Sequence, residues 1–192
     1  MGLFWGSIIG ITVGVLFSQF KILGKTFTPI INAISGIPQL ALAPVYILWF
    51  GIGLQSKFFL AGLSVFFNVF FSTYGGIADM EKKIIEAANL LESNQFRILF
   101  KVVIPSCMPR IISGIRAGVS SSLIGAIVGE YIGAAAGFGW MIAYATSYFN
   151  IKRVMSCILI LLIVGMFLNY ALDKIEKSLL KWHSKTSLTI GI

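Results

Sequence analysis

Between Asp79 and Arg116 the chain gathers ten charged residues: Asp79, Glu81, Lys82, Lys83, Glu86, Glu92, Arg97, Lys101, Arg110 and Arg116. On both sides of that stretch it runs for long distances without a charge, as from Leu3 to Phe20 and from Thr26 to Ser56. Few folds accommodate that alternation. Hydrophobic residues make up 57% of the 192, and charged residues only 11%, against about 25% charged in a soluble domain. So much apolar surface cannot all enter one core, and the solvent around most of it must be lipid. The formal charge of +8 then belongs to the segments between crossings, where Lys and Arg set orientation, and gives no reason to expect nucleic acid.

Taken in order, Leu3 to Phe20 is close to the ~20 residues that cross a bilayer as a helix. No positive region precedes it and no small-residue cleavage site follows, so it reads as a crossing rather than a leader. Pro29, Pro38 and Pro44 punctuate the next uncharged run, which argues against one smooth helix. A short interfacial piece near Phe27–Ser35 and a membrane helix from about Ile37 to Phe50 are expected there, closed by a turn at Gly51-Ile52-Gly53. Phe58 to Tyr74 is a third crossing and Ile111 to Gly133, rich in Gly and Ser, a fourth. Small residues let helix backbones approach closely in lipid. Ala134 to Gly139 reads as a loop, Trp140 to Phe149 as an interfacial stretch, and Val154 to Leu172 as a fifth crossing. The expected plan is one transmembrane domain over 1–185 with a tail at 186–192.

Five crossings with the N-terminus outside place Lys21, Lys25, the insert and the C-terminal lysines in the cytoplasm, leaving Lys57, Lys152 and Arg153 outside. The opposite orientation inverts that distribution, against the positive-inside tendency. Cys107 and Cys157 lie far apart with no ligand-type neighbours, and His183 is the single histidine. Metal sites and Cys/His catalysis are therefore not expected, nor is a disulfide. A membrane enzyme would need a cluster of His, Asp, Glu or Cys at membrane depth, and Glu130 alone does not form one.

Within the insert, Ile84, Ala87, Ala88 and Leu91 share one helical face. The pattern breaks there. Ser93 or Asn94 can cap a second helix, which Ile104-Pro105 is expected to stop. Two short helices would then lie along the membrane surface before the chain returns at Ile111. By these residues alone the insert is either an amphipathic loop on lipid headgroups or a surface for a cytosolic partner. On the second reading Ala87-Ala88 permits close approach, and Glu86 can accept hydrogen bonds or pair with a basic group.

Glu86-Ala87-Ala88, followed by Val102-x-Ile104-Pro105, resembles the EAA loop of permease subunits of ATP-binding-cassette importers. Flanking text agrees: Ile37-Pro38 with Ala41-Leu42-Ala43-Pro44, Trp49-Phe50-Gly51-Ile52-Gly53, and Gly129-Glu130-Tyr131-Ile132-Gly133 with Gly137-Phe138-Gly139. Together they resemble the branch importing nitrate, taurine, aliphatic sulfonates and thiamine precursors, over roughly Leu3 to Trp182. The resemblance implies an all-α integral membrane protein, a type I importer permease-like bundle of about five transmembrane helices. Its cytoplasmic loop, 79–110, would carry a coupling helix. It further implies a homodimer or paired permease, two cytoplasmic ATPase subunits and an extracytoplasmic substrate-binding protein, with no cofactor of its own.

Carried over by position, Glu86, Ala87, Ala88, Leu91 and Glu92 would dock on the ATPase, and Pro105 would mark the return toward the membrane. No G-x-x-x-x-G-K-[ST] phosphate loop occurs in the chain, so energy would have to come from that partner. A membrane scaffold or channel whose loop binds another protein, with no ATP coupling, is the alternative. Two departures stand out. The family usually has glycine six residues after the glutamate, where this chain has Glu92, a cost of roughly 1 kcal/mol if a left-handed turn is kept. Members also commonly carry one more helix before the segment that begins here at Leu3, so either a five-helix form or a chain beginning one helix late is expected.

Glu130 is the only acidic residue in the membrane-associated part. It lies about 30 Å from Arg110 along a helix, which puts it at the outer surface. There it is a candidate outer gate or receptor contact with Gly137 and Gly139, weighed against a solvated helix end and ordinary loop punctuation. Phe66, Phe67, Phe70 and Phe71, with Asn68, either line the pathway or, as aromatic stripes in membrane helices more often do, serve packing, while the Asn68 amide must find a partner in lipid.

Overall fold

The computed structural model describes residues 1–80 and 94–179, all-helical where it is regular. Its elements are α1 Gly2–Gln19, α2 Lys21–Ser35, a 3-10 turn Gln39–Leu42, α3 Ala43–Phe50 and α4 Leu54–Ala78. After the undescribed stretch come α5 Gln95–Ile98, a π-turn Leu99–Val103, α6 Ile104–Gly133, α7 Phe138–Ser147 and α8 Ile151–Leu179. Among the described residues, four spans are long and apolar enough to cross a membrane, or five if α2 and the segment Gln39–Phe50 count as one broken span.

α4 is the centre, and glycine explains why. α1 has Gly2, Gly6, Gly10 and Gly14 at intervals of four, hence on one face. A Cβ on Gly6 would lie 2.4 Å from the Gly62 carbonyl oxygen of α4, and one on Gly14 would lie 2.9 Å from Thr73 Cβ. On the other side, α6 presents Gly114 and Gly118 to Ser72 and Val65. Backbone therefore meets backbone on both flanks of α4, the packing that drives association in lipid. Val65, Val69, Phe70 and Thr73 consequently have no exposure at all.

The second crossing differs from the sequence expectation. In place of one helix over Ile37–Phe50 there are two pieces, and α2 starts at Lys21 rather than near Phe27. α2 and the segment Gln39–Phe50 meet at an angle of 73°. Pro38 biases Ile37 away from helix, while Pro44 sits in the first turn of α3, where a missing N–H costs nothing. α3 then ends as expected at Gly51, whose φ of +79° suits glycine.

The start of α6 also departs from expectation. Pro105 does not stop a helix. Residues Phe96–Gly133 form one span of 38 residues instead of a surface helix followed by a crossing from Ile111. The π-turn explains it: the Ile104 N–H donates to the Leu99 carbonyl, five residues back. The ladder shifts by one residue, and Pro105, which has no N–H, falls in the first turn of α6.

α8 stands apart. Only 6% of its membrane window is buried within the subunit. It is apolar on all sides, as a helix bathed in lipid or covered by another subunit must be. Arg116 of α6 ties it by charge to Asp173 and Glu176.

Candidate functional site

Besides the Arg116 ion pairs, three places among the described residues gather polar groups: the base of the charged insert, a corner at the opposite end, and a recess between them.

At the base of the insert, the residues flanking it are clamped. Arg110 Nη1 of α6 donates to Asp79 Oδ2, just past the end of α4, at 2.6 Å. Beneath this exposed pair, Ile77 packs with Ile98, Leu99, Val103, Cys107 and Ile111, and with Ile11 and Val15 of α1. Asn94 Oδ1 accepts the Phe96 N–H, as a helix-capping side chain does. Pro105 lies in this region. Glu86, Ala87, Ala88, Leu91 and Glu92 lie outside the described residues, as does the 186–192 tail.

At the other end, Glu130, Gly137 and Gly139 converge. Glu130 lies in the last turn of α6, and its Oε2 accepts the Gly139 N–H at 2.9 Å. Gly137 caps the start of α7 with φ +111°, a conformation that favours glycine. A Cβ there would stand 2.3 Å from the Glu130 carboxylate. One at Gly139 would meet the Ile127 carbonyl oxygen at 2.2 Å. The carboxylate thus caps α7, where a negative charge is favoured. This geometry makes the trio a structural corner that turns the chain from α6 into α7.

The recess was only partly visible in the sequence. Asn68 finds the partners its amide needs: Nδ2 donates to the Ser64 carbonyl at 2.8 Å and to Ser121 Oγ of α6 at 3.0 Å. Ser64 Oγ in turn donates to Gln39 Oε1 at 2.8 Å, sharing its proton with the Leu60 carbonyl. Gln39, Ser64 and Ser121 were not singled out from sequence. A serine every few residues along a glycine-rich helix carries no signal of which way it faces. The phenylalanine stripe divides: Phe70 is fully buried against Phe17 and Tyr74, while Phe67 and Phe71 line the recess.

Among the described residues no cluster of His, Cys, Asp or Glu has metal-binding geometry, and Cys107 and Cys157 are buried free thiols.

Known proteins share both this sequence and this fold. SsuC of Bacillus subtilis, described as a permease protein for aliphatic sulfonate transport, is 32% identical over 96% of this chain and 67% of its own length. TauC of Escherichia coli, a taurine transport system permease protein, is 29% identical over the same shares. ThiX of Halalkalibacterium halodurans, a formylaminopyrimidine transport permease protein, is 30% identical over 96% of this chain and 74% of its own. Among solved structures, an inward-facing MetNI methionine ABC transporter chain superposes with a TM-score of 0.78 at 22% identity. It covers 93% of this chain and 89% of that one, a likeness of fold. Residues 6–181 match the family of binding-protein-dependent transport system inner membrane components. This multi-pass membrane chain belongs to that family, and is a permease subunit of an ABC importer rather than an enzyme.

Proposed function

We propose that this chain, paired with a second permease copy, forms the translocation pathway for a small anionic or heterocyclic solute of sulfonate, taurine, nitrate or thiamine-precursor type. The segment from Glu86 to Pro105 couples that pathway to a separate cytoplasmic ATPase. An extracytoplasmic binding protein delivers the solute at the Glu130 end. The N-terminus lies outside and the insert inside, as the basic residues favour.

The observation that carries the coupling reading is the clamp at the base of the insert. A force applied to a floppy loop would be absorbed in the loop. Here Asp79–Arg110 and the Ile77–Ile98–Val103 cluster join the end of α4 to the π-turn and the start of α6. Displacement of the insert is therefore passed to the two most tightly packed helices of the bundle. The relatives' names support the solute type, and the chain's missing phosphate loop supports a partner as the source of energy.

Purifying the tagged chain from its native membrane tests this. An ATPase subunit should co-elute with the wild type. Its absence, with some other cytosolic protein in its place, would favour the scaffold reading.

A further inference from the structure

We propose that the recess at the break between α2 and α3 is a transit site, in which uncharged donors hold the hydrogen-bond-accepting head of the solute as it crosses. This rests on the reading of the chain as the pathway subunit and adds where, and with what chemistry, that pathway touches its cargo.

The first observation is depth. Asn68 lies roughly 21 Å along α4 from Leu54, and Ser121 roughly 18 Å along α6 from Gly133. Both therefore lie well inside their long apolar helices, away from the ends. The recess holds about 570 Å³, a size typical of small-molecule sites.

The second is the broken backbone. Gly36 and Pro38 line the recess, where α2 stops and the chain turns by 73°. Non-helical backbone at membrane depth is tolerated where it lines a cavity or is buried in protein, and interrupted helices mark binding sites in transporters.

The third is the hydrogen-bond inventory. The Asn68 amide spends its donors on Ser64 and Ser121. Gln39 spends its oxygen on Ser64, which leaves its NH₂ group to offer. Ser121 accepts from Asn68 and keeps its own hydroxyl proton to donate. A network that only glued helices together would need no cavity beside it. The Gln39 NH₂ and the Ser121 hydroxyl are thus donors still to be used, and no charged residue lines the recess. They suit an acceptor-rich head such as a sulfonate, held by neutral donors weakly enough to leave again.

The complex of this permease with its ATPase and binding protein, in proteoliposomes, tests the proposal with radiolabelled taurine and hexanesulfonate as probes. Binding-protein-stimulated ATP hydrolysis is measured alongside uptake. Gln39→Leu combined with Ser121→Ala should lower uptake by about tenfold or more while hydrolysis stays within about twofold. Ser121→Thr, which keeps the hydroxyl, should restore most of the loss seen in Ser121→Ala. Undiminished uptake in the double variant overturns the proposal. So does a parallel fall of uptake and hydrolysis with Ser121→Thr no better than Ser121→Ala, because the pair would then serve packing alone. A wild-type complex that couples hydrolysis to its binding protein yet moves neither probe overturns the head-group assignment. A wild type that does not couple at all overturns the proposed function itself, and with it this premise.

Discussion

Glu130 Oε2 and the Gly139 backbone N–H sit 2.9 Å apart, so a carboxylate at the end of one helix caps the start of the next. The chain turns here through Gly137, whose missing Cβ leaves the room that carboxylate occupies. An acidic side chain that attracts a functional reading from sequence thus has a structural task first.

That task has a measurable size. Glu130→Ala should destabilise the subunit by about 1 kcal/mol, the usual worth of a lost cap, seen as a lower melting temperature in detergent. Glu130→Gln keeps an acceptor and should lose less. Gly139→Ala should be the most damaging, because its Cβ meets backbone at 2.2 Å. If Glu130→Gln melts normally but no longer supports uptake, the carboxylate has a second role, as an outer gate or receptor contact.

The α1–α4 contact yields a sharper contrast. Gly6→Leu has to push apart two backbones and should cost about 1–3 kcal/mol or more, visible as poor yield and early aggregation on size exclusion. Gly75→Ala is the control: nothing lies within 4 Å of its Cβ position, and alanine favours helix by roughly 1 kcal/mol. Equal melting of the two variants would show that α1 does not pack on α4 through its glycines.

For the insert, Glu86→Lys and Ala87→Asp should each abolish uptake while the protein still inserts into the membrane in normal amounts. Uptake at wild-type rates in both would remove these residues from the coupling surface.

Orientation can be read with a membrane-impermeant maleimide on intact cells. Cys107 and Cys157 are each 2% exposed, so the native chain should label poorly until denatured. Lys152→Cys should react from outside and Glu81→Cys only after lysis. The reverse pattern would turn the topology over.

Arg116 offers the last test. Its ion pairs with Asp173 and Glu176 are partly exposed, so Arg116→Ala should cost no more than about 1 kcal/mol. Arg116→Glu places three acids together and should loosen α8, measured as faster proteolysis after α7. Asp173→Arg added to Arg116→Glu should recover most of that protection.

Much of this architecture was legible because lipid imposes a simple rule, that backbone groups be satisfied within the segment. Uncharged length therefore located α1, α4 and α8, an apolar run rich in Gly and Ser located most of α6, and clustered charge located the insert. Proline misled in both directions. Pro105 looked like a stop, but a π-turn moves the hydrogen-bond ladder past it. Pro38, expected inside a helix from about Ile37, instead sits at the break between α2 and the 3-10 turn. A local rule cannot foresee a shift in the ladder around it. The candidate sites divide along the same line. Glu130, Gly137 and Gly139 share one stretch of sequence, and the structure brings them together. Gln39, Ser64 and Ser121 are far apart in the chain, and only the break after α2 brings the first of them beside the other two.

The span from Phe96 to Gly133 has a mechanical consequence. At 1.5 Å per residue, its 38 residues make a rod of roughly 57 Å, far longer than the ~30 Å of hydrocarbon it crosses. The shifted ladder at the π-turn carries the helix past Pro105, and it runs on through Pro109. Its near end carries the clamp beside the insert, and its far end the Glu130 corner. A push at the first, on the proposed coupling, becomes a tilt at the second. On that coupling, one helix packed along α4 would link the two faces of the membrane.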